Sequence, residues 1–442
     1  MDFKVGFAED IITPEINLPM GGYSARKGNA IGIHDDLFAR AAYFNFQNRE
    51  SIIISADVLS FPLKIIKFYQ KIIAKNVGIP SNRILICALH NHSGPDTIGL
   101  THPFHGFFVS NLNKQIFLDM GRQFIKIANQ AKKAQQHAII GAEKTIMEKR
   151  LIINRREPLK DSKYNVSVIK FTDKVDNLIG LIINYACHAT VLPSDNLLYS
   201  ADYPGYIIKR IHHRLGESTP VIYLNGPCGD LNPNLFDFNV SLRELDLKKA
   251  ILYDGPGHAK GTFQRAKEIG FAIADKAVEL SNSINCSPIT DFKHIVKSYL
   301  FKMKSLLLGT SFHDITKHLR YKFKLKLLQA FWWVNKTEIP YPLDYIYKNG
   351  KYFQQFEIHG IQLNDIVILG LPGEMFSELG DRILERSPFN TTIIVGLANG
   401  YLGYLYPLDA FKKGGYELFL STNPLLGSYL TNKTIELLNL LK

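Results

Sequence analysis

The stretch RILICALH (83–90), running on into NHSGP (91–95), decides how the chain is read. Its first part is short, apolar and partly β-branched, the pattern of a strand buried on both faces. It ends in a polar cluster, His90-Asn91-His92-Ser93-Gly94-Pro95. Strands that release polar groups at their C-terminal ends are how α/β proteins build ligand sites. Working outward, AAYFNF (41–46) and SIIISADVL (51–59) have the same strand character, and residues 62–77 carry Leu63, Ile66, Phe68 and Ile72 at helical spacing. Further on, LIGLIINYA (178–186), PVIYLN (220–225), DIVILGLPG (365–373) and TTIIVGLAN (391–399) read as strands. Helices are expected near 113–136, 204–214, 261–281 and 375–385. Strands alternating with helices predict a mixed α/β domain.

Composition sets limits on that domain. The chain has 442 residues, 46% hydrophobic and 21% charged, which suits a globular protein with a sizeable core. A formal net charge of +12 favours acidic surfaces or simply aids solubility. Peripheral contact with an anionic membrane is the partner expected from it; nucleic acid is not expected. Cys87, Cys187, Cys228 and Cys286 are too few and too scattered for a disulfide scaffold and read as small core residues. No secretory signal or run of 18 apolar residues is visible, so a cytoplasmic, possible membrane-peripheral location is the expectation. The stretch 287–350 differs: FKMKSLLLGT (301–310) and KHLRYKFKLKLLQAFWWV (317–334) are basic and amphipathic, and IPYPLDYIY (339–347) is a turn. It is expected to be a peripheral insertion or cap outside the central sheet, within a divergent middle region of about 240–350.

Three further polar clusters follow apolar strands: Tyr185-Ala186-Cys187-His188-Ala189-Thr190, the turn Asn225–Pro233, and Leu371-Pro372-Gly373-Glu374. GLANGYLGY (396–404) and GGYE (414–417) come after them. An HxH pair on an extended strand end directs both rings the same way. Two imidazoles and one carboxylate, here His90, His188 and Glu374, make a ligand set suited to catalytic zinc with an open position for water. Cys87 and Cys187 are the alternative, softer ligands.

Taken in order, these segments resemble the neutral/alkaline ceramidase family. The resemblance begins at DIITP (10–14), MGGYS (20–24), GIH (32–34), Arg40-Ala41 and Ser55-Ala56-Asp57. It continues through HNHSGP, Asn154-Arg155, ACHAT, Asn225–Pro233, PGE and GLANGYLGY, covering about residues 3–420, with 240–350 poorly matched. It implies a zinc ion held by His90, His188, Glu374 and Tyr404. It implies catalytic roles for His92, Arg155 and Tyr416, and places Gly22 and His34 at the substrate. Arginine and tyrosine donors suit an oxyanion, and a histidine can protonate a leaving amine.

The chain departs from the family pattern twice. The glycine-aspartate turn ends in Asn232, in GDLNP, where the family carries a serine; asparagine has no nucleophilic hydroxyl but can orient water or substrate. Little chain follows the last motif, so no counterpart of the family's C-terminal β-sandwich domain is expected, and residues 1–442 read as one hydrolase domain. The expected function is zinc-dependent hydrolysis of an N-acyl amide, of ceramide or a similar lipid, by metal-activated water. The alternatives are a zinc deacetylase acting on a soluble N-acetylated metabolite or sugar, and a catalytically impaired ligand-binding homologue. The aromatic run Phe104-His105-Gly106-Phe107-Phe108 would suit an apolar mouth for an acyl chain.

Overall fold

A computed structural model describes residues 3–99, 113–158, 164–235, 261–302, 345–348, 351–418, 420–421 and 423–442. Three sheets form the frame. The first runs, edge to edge, β5 (Ile84–Ala88), β4 (Arg49–Ala56), β3 (Phe38–Phe46), β1 (Phe3–Ile11) and β6 (Gln136–His137). The second runs β12 (Val221–Asn225), β10 (Leu178–Tyr185), β9 (Asn165–Thr172) and β7 (Ile139–Ile146). The third runs β14 (Phe292–Lys302), β16 (Lys351–Leu363), β17 (Ile366–Gly370) and β19 (Thr391–Val395), with β15 (Tyr345–Lys348) also paired to β16.

Each sheet is antiparallel except for one pair at its edge: β4 with β5, β10 with β12, and β17 with β19 are parallel. Parallel neighbours need a crossover, which a helix usually supplies. Here α1 (Leu63–Val77), α3 (Asp202–Leu215) and α5 (Ser377–Glu385) do so, giving three β-α-β units. One core cluster joins inward residues of all three sheets, among them Phe44, Leu85, Phe171, Ile182, Ile368 and Ile393. The helices form separate clusters on the outer faces: α1 with α2 (Lys114–Lys133), α3 with α4 (Phe263–Ser283), and α5 with α7 (Leu426–Leu441), which follows the short α6 (Leu408–Lys413). Every residue of β5, β12, β17 and β19 is therefore buried, as sheets covered on both faces require.

Hydrogen bonds tie the three parallel pairs together. Ser55 Oγ donates to the Tyr223 carbonyl at 2.8 Å, and Asn184 Nδ2 donates to the Ile394 carbonyl at 3.2 Å. Asn399, just past β19, accepts from the Ile86 amide at 2.8 Å. The C-terminal ends of strands from three separate sheets are thereby held against one another.

The mixed α/β class and the helices and strands named from sequence are present, with boundaries shifted by a few residues. Phe68 does not belong to the inner face of α1; it is 38% exposed. The expected insertion over 287–350 needs correction in its described part. Phe292–Lys302 is a strand paired with β16 along its length, with Phe292 and His294 buried and Lys293 outside them. Tyr345–Lys348 is paired to the same strand. A basic composition hid the alternation of a sheet strand. Earlier in the middle region, α4 packs on α3 within the second layer. The remainder of that region, 236–260, 303–344 and 349–350, and the aromatic run 104–108 lie outside the described residues.

The α3–α4 contact supplies a test of the packing. A Cβ on Gly270 would lie 2.6 Å from the Tyr203 carbonyl oxygen and from Tyr206 Cβ. Alanine improves helix propensity by about 1 kcal/mol, but forced overpacking costs about 1–3 kcal/mol. Gly270→Ala is therefore expected to lower the urea unfolding midpoint. A raised midpoint would show that the two helices have room to part.

Candidate active site

Each β-α-β unit delivers one side chain to a common point. His90 lies two residues beyond β5, His188 three beyond β10, and Glu374 opens β18 (Glu374–Met375), four residues beyond β17. All three are buried, and their candidate ligand atoms lie within 4.8 Å of one another. Glu374 Oε2 is 3.1 Å from His90 Nε2 and 3.1 Å from His188 Nε2.

The far nitrogen of each ring is already engaged. His90 Nδ1 is 3.1 Å from the Leu59 carbonyl, and His188 Nδ1 is 2.7 Å from the Cys228 carbonyl and 3.1 Å from that of Leu231. A carbonyl oxygen only accepts, so both Nδ1 atoms carry the hydrogen. Burial lowers the His188 pKa to about 4, so its ring is neutral at pH 7 and its Nε2 lone pair points at Glu374. Burial pushes the Glu374 pKa up, but its interactions with the His90 and His188 rings more than offset this and hold it well below the ordinary carboxylate range. Lone pairs facing a carboxylate at this distance repel unless a cation lies among them. Two imidazoles braced by carbonyls on their far nitrogens, plus a carboxylate, fit a divalent transition ion. The cysteines do not compete: Cys87, Cys187 and Cys228 are buried and free, and none joins the cluster.

The two histidines of the HxH pair meet, though not as an extended strand would bring them. β5 ends at Ala88, and His90 has φ +61°, a left-handed conformation that turns the chain. His92 Nε2 comes to rest 3.4 Å from His90 Nε2. His92 Nδ1 is buried with no hydrogen-bond partner among the described residues. Gly22 makes room for this ring: its φ is +97°, and a Cβ there would sit 2.3 Å from the imidazole. Tyr23 packs edge-on to His92 with ring centroids 4.8 Å apart.

Tyr404 stands beside Glu374. It opens β20 (Tyr404–Leu405), whose register sets Tyr404 directly opposite Glu374 in a parallel pair. Its buried ring stacks on His188 with centroids 6.5 Å apart, and its hydroxyl lies 3.4 Å from that of Tyr416. Tyr416 itself is 52% exposed and so forms part of the rim. Sequence reasoning passed over Tyr401, whose hydroxyl donates to Glu374 Oε1 at 2.7 Å. Its signal was its place in GLANGYLGY, three residues before Tyr404.

Arg155 is clamped. Its Nε donates to Glu417 Oε1 at 3.0 Å, its Nη1 to Asn232 Oδ1 at 3.0 Å, and its Nη2 to the Gly229 carbonyl. The guanidinium also lies over the rings of Tyr404 and Tyr416, 5.4 and 5.1 Å from their centroids. Burial alone would lower its pKa, but Tyr416, Tyr404 and Glu417 more than offset that and keep it charged. Glu417 is a second residue that sequence reasoning missed; it is buried and also accepts from Arg156 Nη1 at 3.2 Å. The aspartate of GDLNP braces the turn: Asp230 accepts from Asn154 Nδ2 at 2.7 Å and from the Ser377 amide at 2.7 Å. The contacts of His34 lie outside this cluster. Its ring stacks on Phe263 with centroids 3.7 Å apart, and its Nδ1 is 2.8 Å from Asp35 Oδ1.

A family model described as neutral/alkaline non-lysosomal ceramidase, N-terminal, matches residues 3–304. Among curated proteins, the chain is 25% identical over 316 residues to a neutral ceramidase of Drosophila melanogaster, covering 63% of this chain and 44% of that protein. It is 23% identical over 299 residues to the neutral ceramidase of Pseudomonas aeruginosa, covering 64% of this chain and 42% of that one. The matched stretch thus spans less than half the length of these relatives. A crystal structure of the Pseudomonas aeruginosa neutral ceramidase superposes with a TM-score of 0.74 at 17% identity, covering 99% of this chain and 74% of that one. A ceramidase structure complexed with C2 gives the same TM-score at 18% identity, covering 99% of this chain and 75% of that one. At these identities the superpositions establish the fold.

The clamp carries its own expectation. Glu417→Gln keeps the shape of the side chain but leaves the buried guanidinium of Arg155 without a counter-charge. Removing one partner of a buried pair costs about 3–5 kcal/mol. Urea denaturation should show a loss of that order; an unchanged midpoint would mean that Gly229, Asn232 and the tyrosine rings suffice to hold Arg155.

Proposed function

Because this chain belongs to the neutral/alkaline non-lysosomal ceramidase family, we propose that it is a zinc-dependent hydrolase of an N-acyl amide, acting on a lipid amide of the ceramide class. We further infer that residues 1–442 act as one hydrolase domain. The observation that carries the functional reading is the donor set: two imidazole Nε2 atoms and one carboxylate oxygen converge, while both Nδ1 hydrogens point away to carbonyls. His90, His188 and Glu374 would hold the ion, with Tyr404 beside them. Such an ion, when bound, supplies Lewis acidity, making water nucleophilic near neutral pH and polarising an amide carbonyl.

The chain's own groups complete the chemistry. In this reading His92 takes a proton at one ring nitrogen and passes it to the departing amine. Arg155, charged and fixed, stabilises negative charge that develops on the amide oxygen. Tyr416 occupies the rim, where it meets substrate as it enters. Asn232 works through Arg155: its side-chain oxygen accepts from Nη1, so the position that carries serine in the family pattern here holds the guanidinium in place. No nucleophile is needed at 232. Gly22 contributes by admitting the His92 ring, and His34 sits on a neighbouring loop. Among the described residues no helix is long and apolar enough to cross a membrane. A net charge of +12 would favour approach to an anionic membrane holding the substrate.

Metal analysis of protein purified without chelator should find one zinc per chain, and His188→Ala should abolish it. Absence of any transition metal in the natural chain would contradict the proposal. A panel of amides from acetyl to palmitoyl should show turnover rising with acyl length. Turnover confined to acetyl amides would favour the soluble-metabolite deacetylase instead. Asn232→Ala should lower kcat by roughly ten- to a thousandfold with zinc content unchanged. An acyl-enzyme trapped by mass spectrometry would overturn hydrolysis by activated water.

A further inference from the structure

We propose that Tyr401 is a positioning residue of the metal centre: its hydroxyl holds Glu374 Oε1, so that the carboxylate addresses the ion through Oε2 alone. The inference rests on reading His90, His188 and Glu374 as a metal site. The two oxygens of Glu374 have different surroundings. Oε2 faces both imidazole Nε2 atoms at 3.1 Å, whereas Oε1 accepts the Tyr401 hydroxyl at 2.7 Å. A carboxylate free to rotate can offer one oxygen or chelate with both. A hydrogen bond to the far oxygen selects the first, and such outer contacts orient ligands and tune the affinity of the site.

Tyr401 is equipped to hold that position. Its ring is 5% exposed and belongs to the same core cluster as Ile86 and Ala88, the residues of the strand that leads to His90. The loop before it is pinned to that strand. Asn399, at φ +54°, accepts from the Ile86 amide at 2.8 Å, and its Nδ2 lies 2.6 Å from His359 Nε2. The next residue, Gly400, has φ +143°. Tyr401 therefore connects the carboxylate of the third β-α-β unit to the strand that supplies the first histidine.

A core tyrosine whose hydroxyl is merely satisfied would look similar in position but not in effect. Tyr203 is such a residue: it is fully buried, and its hydroxyl donates to the Cys187 carbonyl at 2.8 Å, outside the cluster. The test is a zinc dissociation constant measured by chelator competition on the full chain, for the natural protein, Tyr401→Phe and Tyr203→Phe, with thermal melts alongside. Tyr401→Phe should bind zinc about 10- to 100-fold more weakly. Cobalt substituted into that variant should give a weaker visible band, as the freed carboxylate chelates and raises the coordination number. Tyr203→Phe should lower the melting temperature while leaving zinc affinity unchanged. If Tyr401→Phe matches the natural chain in zinc affinity and cobalt spectrum, the positioning role is overturned while the metal site stands. If the natural chain binds no zinc, the metal-site reading falls first and takes this inference with it.

Discussion

A buried carboxylate facing two imidazole lone pairs is the constraint on which the rest of the structure depends. Glu374 lies in the interior with both Nε2 atoms 3.1 Å from one of its oxygens. Burying such a charge without a partner is costly, and these partners supply no hydrogen of their own unless protonated. The arrangement persists because the fold leaves the three groups little freedom. Each comes from a different sheet, each follows a parallel strand buried on both faces, and the strands are bonded to one another through Ser55, Asn184 and Asn399. Moving one ligand would mean moving a sheet.

Around that point the protein arranges charge in pairs of opposite sign. Arg155 would be expensive to bury alone, yet it is fixed by Glu417, Asn232 and Gly229 and flanked by two tyrosine rings. The outcome is a cation beside the His90, His188 and Glu374 cluster that needs no rearrangement to meet negative charge. The same physics accounts for the serine-to-asparagine departure from the family pattern. A side chain at 232 whose oxygen accepts from a guanidinium has a task in this clamp, and nucleophilicity is not part of it.

Much of this was legible in the sequence, and what was missed has physical causes. RILICALH and the strands like it announced themselves because strands covered on both faces are continuously apolar. His90, His188 and Glu374 could be named because each stands just beyond such a strand. β7, β9 and β16 went unread because polar residues interrupt their apolar runs without a regular period. β14 reads as part of a basic insertion because Lys293, Lys297 and Lys302 interrupt its apolar residues, although Ile295, Tyr299 and Phe301 pack against the core. Tyr401 and Glu417 lay within quoted motifs, but their partners, Glu374 and Arg155, are distant in sequence, and only the tertiary fold shows the pairing. The HxH spacing gave the right neighbours for the wrong reason, since the left-handed turn at His90, not strand alternation, brings the rings together.

The central claim is that three β-α-β units converge to hold one divalent ion. X-ray diffraction recorded on either side of the zinc absorption edge tests it directly, on crystals grown without chelator. The account predicts a single anomalous peak bonded to His90 Nε2, His188 Nε2 and Glu374 Oε2. Full density for the three side chains in direct contact, with no anomalous signal among them, would contradict it.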